Sequence, residues 1–284
     1  MENTHRPCDL HIHSVFSDSD TPVEEILKVA DAKNLSCIAI ADHDTVGAMN
    51  QARILSRQYH IEFIEAIELS AQEKDCEIHV LGYFIDPLNK KLNDALGGIR
   101  ELREARLIAM ADKLISLGVG VDKEELMART KDAIPTRLHL ALYLVEIGRV
   151  RSLWDAFRKY LSPGKPAYVA RFKHTAREAI ELIKDSGGLA FLAHPYFLAD
   201  QSWIEKFVSF GLDGIEVNYP RFSPSRIAIY ENMADKYGLL KSGGSDAHGS
   251  YKEFTEIGGV TVPYEWVEAM KARLSPPSYT DSSQ

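Results

Sequence analysis

The segment Asp9-Leu10-His11-Ile12-His13-Ser14 sets two imidazoles two residues apart. Side chains alternate along a strand, so His11 and His13 are expected to point one way and Leu10 and Ile12 the other. Two imidazoles on one face can grip one metal ion. Ser17, Asp18, Ser19 and Asp20 follow at once, which puts the pair at a strand's carboxyl end, the end that carries chemistry in α/β barrels. One HxH alone is weak evidence, but the arrangement recurs. The apolar run 37–41 ends in Asp42-His43-Asp44-Thr45, residues 61–69 carry Glu68, and residues 77–85 carry His79. Residues 189–193 end in His194-Pro195, and 239–242 run into Gly243-Gly244-Ser245-Asp246-Ala247-His248.

The candidate ligands are therefore His11, His13, Asp18, His43, Glu68, His79, His194, Asp246 and His248. Imidazole and carboxylate without thiolate suit manganese, iron or zinc, and the set is too large for one ion of four to six coordination. Two or three divalent ions are expected. Asp42, beside a candidate ligand, is assigned the neighbouring role of fixing an imidazole tautomer. His5, His60 and His174 lack such surroundings and read as surface histidines.

The elements that must position these groups follow a strand-then-helix rhythm. Thr21-Pro22-Val23-Glu24 reads as a capping box with proline at the first helical position. Val23, Ile26, Leu27 and Ala30 form that helix's buried stripe, and a second amphipathic helix runs through Ala48, Ala52 and Leu55. From 92 to 117 the apolar residues step by three and four, predicting a long helix. Further helical stretches at 123–130, 137–147 and 153–160 extend this insertion to the loop Ser162-Pro163-Gly164-Lys165-Pro166. Thr175 with Glu178 then caps another helix, and strands resume. The expected organisation is an α/β barrel from residues 1–90 and 166–274, interrupted by a helical cap at 91–165. The proline- and serine-containing tail 275–284 is expected to be disordered.

Bulk properties narrow the classes. At 284 residues the chain can bury a substantial core. A net charge of -8 argues against broad coating of nucleic acid, so a phosphate-bearing ligand needs a local basic patch or metals. Cys8, Cys37 and Cys76 are scattered and form neither a disulfide framework nor a zinc ribbon. No signal peptide opens the chain and no apolar run approaches the ~20 residues of a membrane helix. A cytoplasmic enzyme with no membrane association and no required protein partner is expected.

The strings DLHIHS with Asp18, ADHDT at His43, Glu68, EIHVLGY at His79, AHP at His194 and GSDAHG at Asp246 and His248 resemble the polymerase and histidinol phosphatase (PHP) superfamily. The resemblance implies a distorted (β/α)7 barrel that hydrolyses phosphoesters at a two- or three-metal site. By position, it puts a first metal on His11, His13, Glu68 and Asp246, a second on bridging Glu68, His79 and His194, and a third on Asp18, His43 and His248. The insertion, with PTRLHLA from Pro135, LWDAFRKY from Leu153 and PGKPAYV from Pro163, looks like the TrpH-like branch. That branch acts on nucleoside 3′,5′-bisphosphates and on 5′ ends of short RNA, substrates with adjacent phosphates. Arg137, His139 and Lys165 would then face the metals and hold substrate phosphate, arginine bidentately. Arg100, Arg103 and Arg106 either widen that patch or form a solvated helix face. Related sequences read Gly-Arg after the His-Pro, where this chain has Tyr196-Phe197.

The implied chemistry is in-line attack by a hydroxide bridging the first two metals, which Glu68 and Asp246 help to hold, with His194 or a bound water nearest the leaving oxygen. A histidinol phosphate phosphatase would share the site but has no evident use for the insertion. A noncatalytic metal-stabilised module would be expected to have lost ligands. An RNA-binding protein without hydrolysis is disfavoured by the charge and by the lack of an aromatic-rich recognition motif.

Overall fold

The structure, a computed structural model, describes residues 7–74, 76–170, 174–198 and 200–274. The predicted disorder of the tail and the surface placement of His5 lie outside these residues. Among the described residues eight strands form one sheet: β1 (Pro7–Ile12), β2 (Cys37–Ile40), β3 (Glu62–Glu73), β4 (Cys76–Tyr83), β5 (Leu189–Leu192), β6 (Gly214–Asn218), β7 (Leu240–Gly243) and β8 (Val262–Pro263). Their order is β7-β6-β5-β4-β3-β2-β1-β8. The two-residue β8, antiparallel to β1, adds to the seven expected. Beyond β7 the chain turns back onto β1: Asp246 N donates to His11 O at 2.7 Å and His13 N to Ala247 O at 2.9 Å. The sheet is thereby almost closed into a barrel.

Helices α1 (Val23–Ala32) and α2 (Met49–Gln58) cover the first strands, and α3 (Lys90–Ser116), α4 (Lys123–Ala128), α5 (Arg137–Glu146) and α6 (Leu153–Ala156) form the insertion. The chain continues from α6 as a π-helix, Phe157–Leu161. The outer layer resumes with α7 (Ala176–Asp185), α8 (Trp203–Ser209), α9 (Pro224–Tyr237) and α10 (Tyr264–Leu274). Leu92, Leu96 and Ile99 of α3 pack with α7 on the barrel, whereas Leu107, Met110 and Leu114 pack with Leu126, Leu144 and Leu161 in the insertion's own core. The long helix thus belongs to both. Inside the barrel, Cys8, Ala39, Ile64, Leu81 and Phe191 meet Val267 and Met270 of α10, which closes the end opposite the candidate site.

Several local expectations differ. Leu10 and Ile12 do not share a face: Leu10 packs inside the barrel and Ile12 outside against Val23, Ile26 and Leu27. The register between β1 and β2 slips between Asp9 and Ile12, and such a bulge inverts the alternation beyond it. The bulge lets Leu10 fill the core while His11 and His13 still face inward. The first helix has no Thr21 box; it starts at Val23 with Pro22 as the capping residue, because Thr21 O accepts from Val15 N at 3.2 Å in the preceding turn. By contrast, Thr175 and Glu178 form the expected box. His60 is exposed, as expected, but His174 is half-buried.

Candidate metal centre

All nine sequence-selected ligands meet at one rim. His11 lies in β1 and His13 just beyond it; Asp18 is in the following turn, and His43 and His194 lie just past β2 and β5. Asp246 and His248 follow β7. Glu68 and His79 arrive differently. β3 runs past the rim, and β4 is antiparallel to β3 with Ser70 opposite His79, so His79 comes from the amino-terminal half of its strand.

Glu68 is the hub. Its Oε1 lies 3.0 Å from both His79 Nδ1 and His194 Nε2. Its Oε2 lies 3.4 Å from His11 Nε2, 3.2 Å from His13 Nε2 and 3.1 Å from His43 Nδ1. Asp246 Oδ1 is 3.2 Å from His13 Nε2 and 3.5 Å from His248 Nδ1. Asp18 Oδ1 stands 3.6 Å from His13 Nδ1 and 3.4 Å from His248 Nε2. Ligand atoms gather as His11, His13 and Asp246; as His43, Glu68 and His79; and as His13, Asp18, His43 and His248. His13 and His43 each offer two nitrogens to different groups.

The donor set fits divalent metal ions. Imidazole nitrogens face one another at 3.2 Å between His11 and His13 and at 3.3 Å between His79 and His194. Ligand atoms around an ion at ~2.1 Å are separated by about 3.4 Å in a tetrahedral site. Among the described residues Asp18 Oδ1 and His43 Nδ1 are buried without a hydrogen-bond partner, a cost that a coordinated cation removes.

Electrostatics point the same way. Burial opposes charge on His13, but the carboxylates of Asp246 and Glu68 outweigh it and raise its pKa to about 9. His79 is raised against burial to about 10 by Glu68 and Glu77. Burial would raise the Glu68 carboxyl, yet the histidines around it, His43 first, hold it well below its ordinary range. His43 is pushed down to about 3 by burial, which keeps its imidazole in the neutral, ligating form. His194 and Asp246 have φ of 27° and 48°, left-handed conformations that cost non-glycine residues about 1–3 kcal/mol and concentrate at functional sites.

The surroundings bring residues that the sequence reading missed. Glu216, fully buried in β6, lies 2.9 Å from His11 Nδ1 through Oε1 and accepts from His194 N at 2.7 Å through Oε2. Its only sequence signal is a carboxylate inside an apolar strand. Lys252 and Tyr219 hold the second oxygen of Asp246, the tyrosine hydroxyl donating at 2.5 Å. Among the described residues no hydrogen bond joins Asp42 to an imidazole. It accepts from Ser14 N at 2.7 Å and from Ser17 Oγ at 2.6 Å, and Ser17 Oγ in turn lies 3.4 Å from His13 Nδ1. Asp42 therefore acts on His13 through the turn.

From the insertion, Arg106 and Arg137 join Asp18, His43 and His79 around a cavity of about 220 Å³. The Arg137 guanidinium lies over Phe157 and Tyr168, at 5.9 and 6.0 Å from the ring centroids. His139 uses Nδ1 to accept from Thr136 N at 3.2 Å, capping α5, and burial lowers its pKa. Lys165 is exposed on its loop. Arg103 is not on a solvated face: it is buried and paired with Asp44.

A PHP domain model matches residues 9–194. A 5'-3' exoribonuclease of Haemophilus influenzae is 33% identical over 247 residues, covering 84% of this chain and 89% of that protein. A 3',5'-nucleoside bisphosphate phosphatase of Chromobacterium violaceum is 31% identical over 264 residues, 88% of this chain and 90% of that protein. A solved structure from Bifidobacterium adolescentis, described as a metal-dependent phosphoesterase, superposes with a TM-score of 0.86 at 26% identity over 95% of this chain and 97% of the other. The Haemophilus and Chromobacterium relatives are phosphoester-hydrolysing enzymes, and the chain belongs to the PHP domain family.

Proposed function

We propose that the protein is a metal-dependent phosphoesterase acting on nucleoside 3′,5′-bisphosphates or on the 5′-phosphorylated end of short RNA. The observation that carries this reading is the cavity in which Arg137 and Arg106 of the insertion face the Glu68-centred cluster. A phosphate bound at the cluster lies beside a second cationic position, which suits substrates with adjacent phosphates.

In this reading His11, His13, Asp18, His43, Glu68, His79, His194, Asp246 and His248 hold two or three divalent ions, manganese foremost, with iron or zinc as alternatives. Such ions supply positive charge to the phosphoryl oxygens and lower the pKa of water. Glu68 and Asp246 position the cluster, and Glu216 orients His11. Arg137 grips a phosphate bidentately, its guanidinium pre-set by Phe157 and Tyr168. His139 and Lys165 are assigned supporting roles on the same cap, residues 91–165, and His194 the place nearest the leaving oxygen. Among the described residues no helix is long and apolar enough to cross a membrane. The location assigned in this reading is the cytoplasm.

The test is phosphate release or chain shortening by manganese-loaded protein from adenosine 3′,5′-bisphosphate, a short 5′-phosphorylated RNA and histidinol phosphate. Turnover of the bisphosphate or the RNA is expected to exceed that of histidinol phosphate. Glu68→Gln is expected to lose metal and to fall below about a hundredth of the parent rate. Preference for histidinol phosphate, or full turnover by metal-depleted Glu68→Gln, overturns the proposal.

A further inference from the structure

Cavities run end to end across the barrel rim. The cap-side cavity shares His43 and His79 with a central one of about 420 Å³. The central cavity in turn shares Tyr219 and Lys252 with another of about 330 Å³. A nucleoside bisphosphate whose second phosphate lies on the cap occupies the first two compartments. It leaves the third without a use.

That third compartment has a distinct chemistry. Tyr196, Tyr219 and Phe222 form one aromatic wall, with Tyr196 5.5 Å from Tyr219 and 5.3 Å from Phe222 between ring centroids. The Arg226 guanidinium lies 5.6 Å from the Tyr196 centroid and 5.5 Å from that of Phe222. Also in the lining, Arg221 lies 4.2 Å from the centroid of Phe254, a residue 68% exposed. Among the described residues neither guanidinium has an ion-pair partner, and Glu253 is the one acid in the wall. In a chain of net charge -8, this is a local concentration of cations interleaved with aromatic faces. Rings that accept a base of any identity, beside cations that track a backbone, characterise single-stranded nucleic-acid grooves. Stacking on the rings also holds the guanidiniums ready for phosphate.

We propose that this groove binds the nucleotide that continues the chain beyond the scissile phosphate. Its base lies on the wall of Tyr196 and Phe222, and its next phosphate lies on Arg226 and Arg221. The protein is then built for an oligonucleotide end, with a lone bisphosphate as its shortest substrate. The proposal rests on the phosphoesterase reading and deepens it. It also gives Tyr196 a use: where related sequences carry Gly-Arg, this chain has a ring on which Arg226, from a different element, is seated.

The experiment measures binding of a cleavage-resistant 5′-phosphorylated 2′-O-methyl phosphorothioate pentanucleotide to the manganese-loaded protein by fluorescence anisotropy. Adenosine 3′,5′-bisphosphate is measured in parallel by calorimetry. Arg221→Ala/Arg226→Ala is expected to bind the pentanucleotide about tenfold more weakly or worse, and the bisphosphate within about twofold of the parent. The slope of log affinity against log salt is expected to become shallower by about 0.7 per arginine removed. Arg221→Lys/Arg226→Lys, which keeps both charges, is expected to restore the salt slope. Equal weakening of both ligands, or unchanged pentanucleotide binding, overturns the proposal. The phosphoesterase reading fails separately: if the parent hydrolyses no phosphate substrate while pentanucleotide binding still depends on the arginines, the groove stands and the chemistry does not.

Discussion

Glu216 is the residue on which the geometry of the cluster turns most sharply outside the nine candidate ligands. It reaches His11 Nδ1 with one oxygen and the His194 backbone N–H with the other, at 2.9 and 2.7 Å, so one carboxylate fixes both a ring and the chain carrying the next ring. Carboxylates that orient ligating imidazoles are typically worth 10–100-fold in metal affinity. Glu216→Gln keeps the shape but loses the charge, and we expect it to weaken manganese binding by about that factor in competition with a chelator. Affinity within twofold of the parent would remove Glu216 from the metal centre. That these histidines and carboxylates converge was legible because such residues at the ends of apolar runs have few other reasons to recur. Glu216 was not, because a carboxylate within Gly214–Asn218 reveals its partner only when β1 and β6 are brought to the same rim. Of the two readings of Arg103, the solvated face failed for a similar reason, since periodicity says which face of α3 is apolar but not what crosses it.

At the scale of elements, α3 is tied to the barrel by that arginine. Arg103 is 3% exposed and donates through Nε to Asp44 at 2.9 Å, through Nη1 to Pro135 O at 3.2 Å and through Nη2 to Ser70 Oγ at 3.1 Å. It therefore joins the insertion, the loop after β2 and the extended end of β3. Removing one partner of a buried pair strands the other charge, at about 3–5 kcal/mol. Arg103→Met is expected to lower stability by that amount in urea unfolding, and adding Asp44→Asn to recover part of it. A loss below about 1 kcal/mol, the range of exposed pairs, would mean that the pair does not hold the cap. Helix positions were largely readable: the apolar stepping that predicts 92–117 matches Lys90–Ser116. Strand direction was not readable. Nothing in the residues of β4 distinguishes a strand running with β3 from one running against it, yet the reversal is what delivers His79 to the rim from its strand's first half. The bulge in β1 was equally hidden, since alternation is a local rule and the slip arises from pairing with β2.

For the whole molecule, the cluster couples stability to pH and to metal with opposite signs. His11, His13 and His79 have folded pKa values above the ordinary 6.5, with His13 at about 9 and His79 at about 10. Without metal, their contribution to stability is fully present below pH 6.5 and is lost as the pH rises through 9 to 10. Glu68, Asp18 and Asp246 are held below their ordinary values, so their contribution is present above about pH 4.5 and is lost in acid. Metal ions require the neutral imidazoles and so compete with the protons that stabilise the metal-free chain. Two curves follow. The melting temperature of chelator-treated protein is expected to fall between pH 7 and 9.5, while the rise produced by saturating manganese is expected to grow from pH 6 to pH 8, with proton release on loading in weak buffer. A manganese-induced shift that is equal at pH 6 and pH 8, with no protons released, would mean that the ions bind somewhere other than these imidazoles. In that case the barrel rim would be held together by its own ion pairs, and the phosphoesterase reading would lose its metal centre.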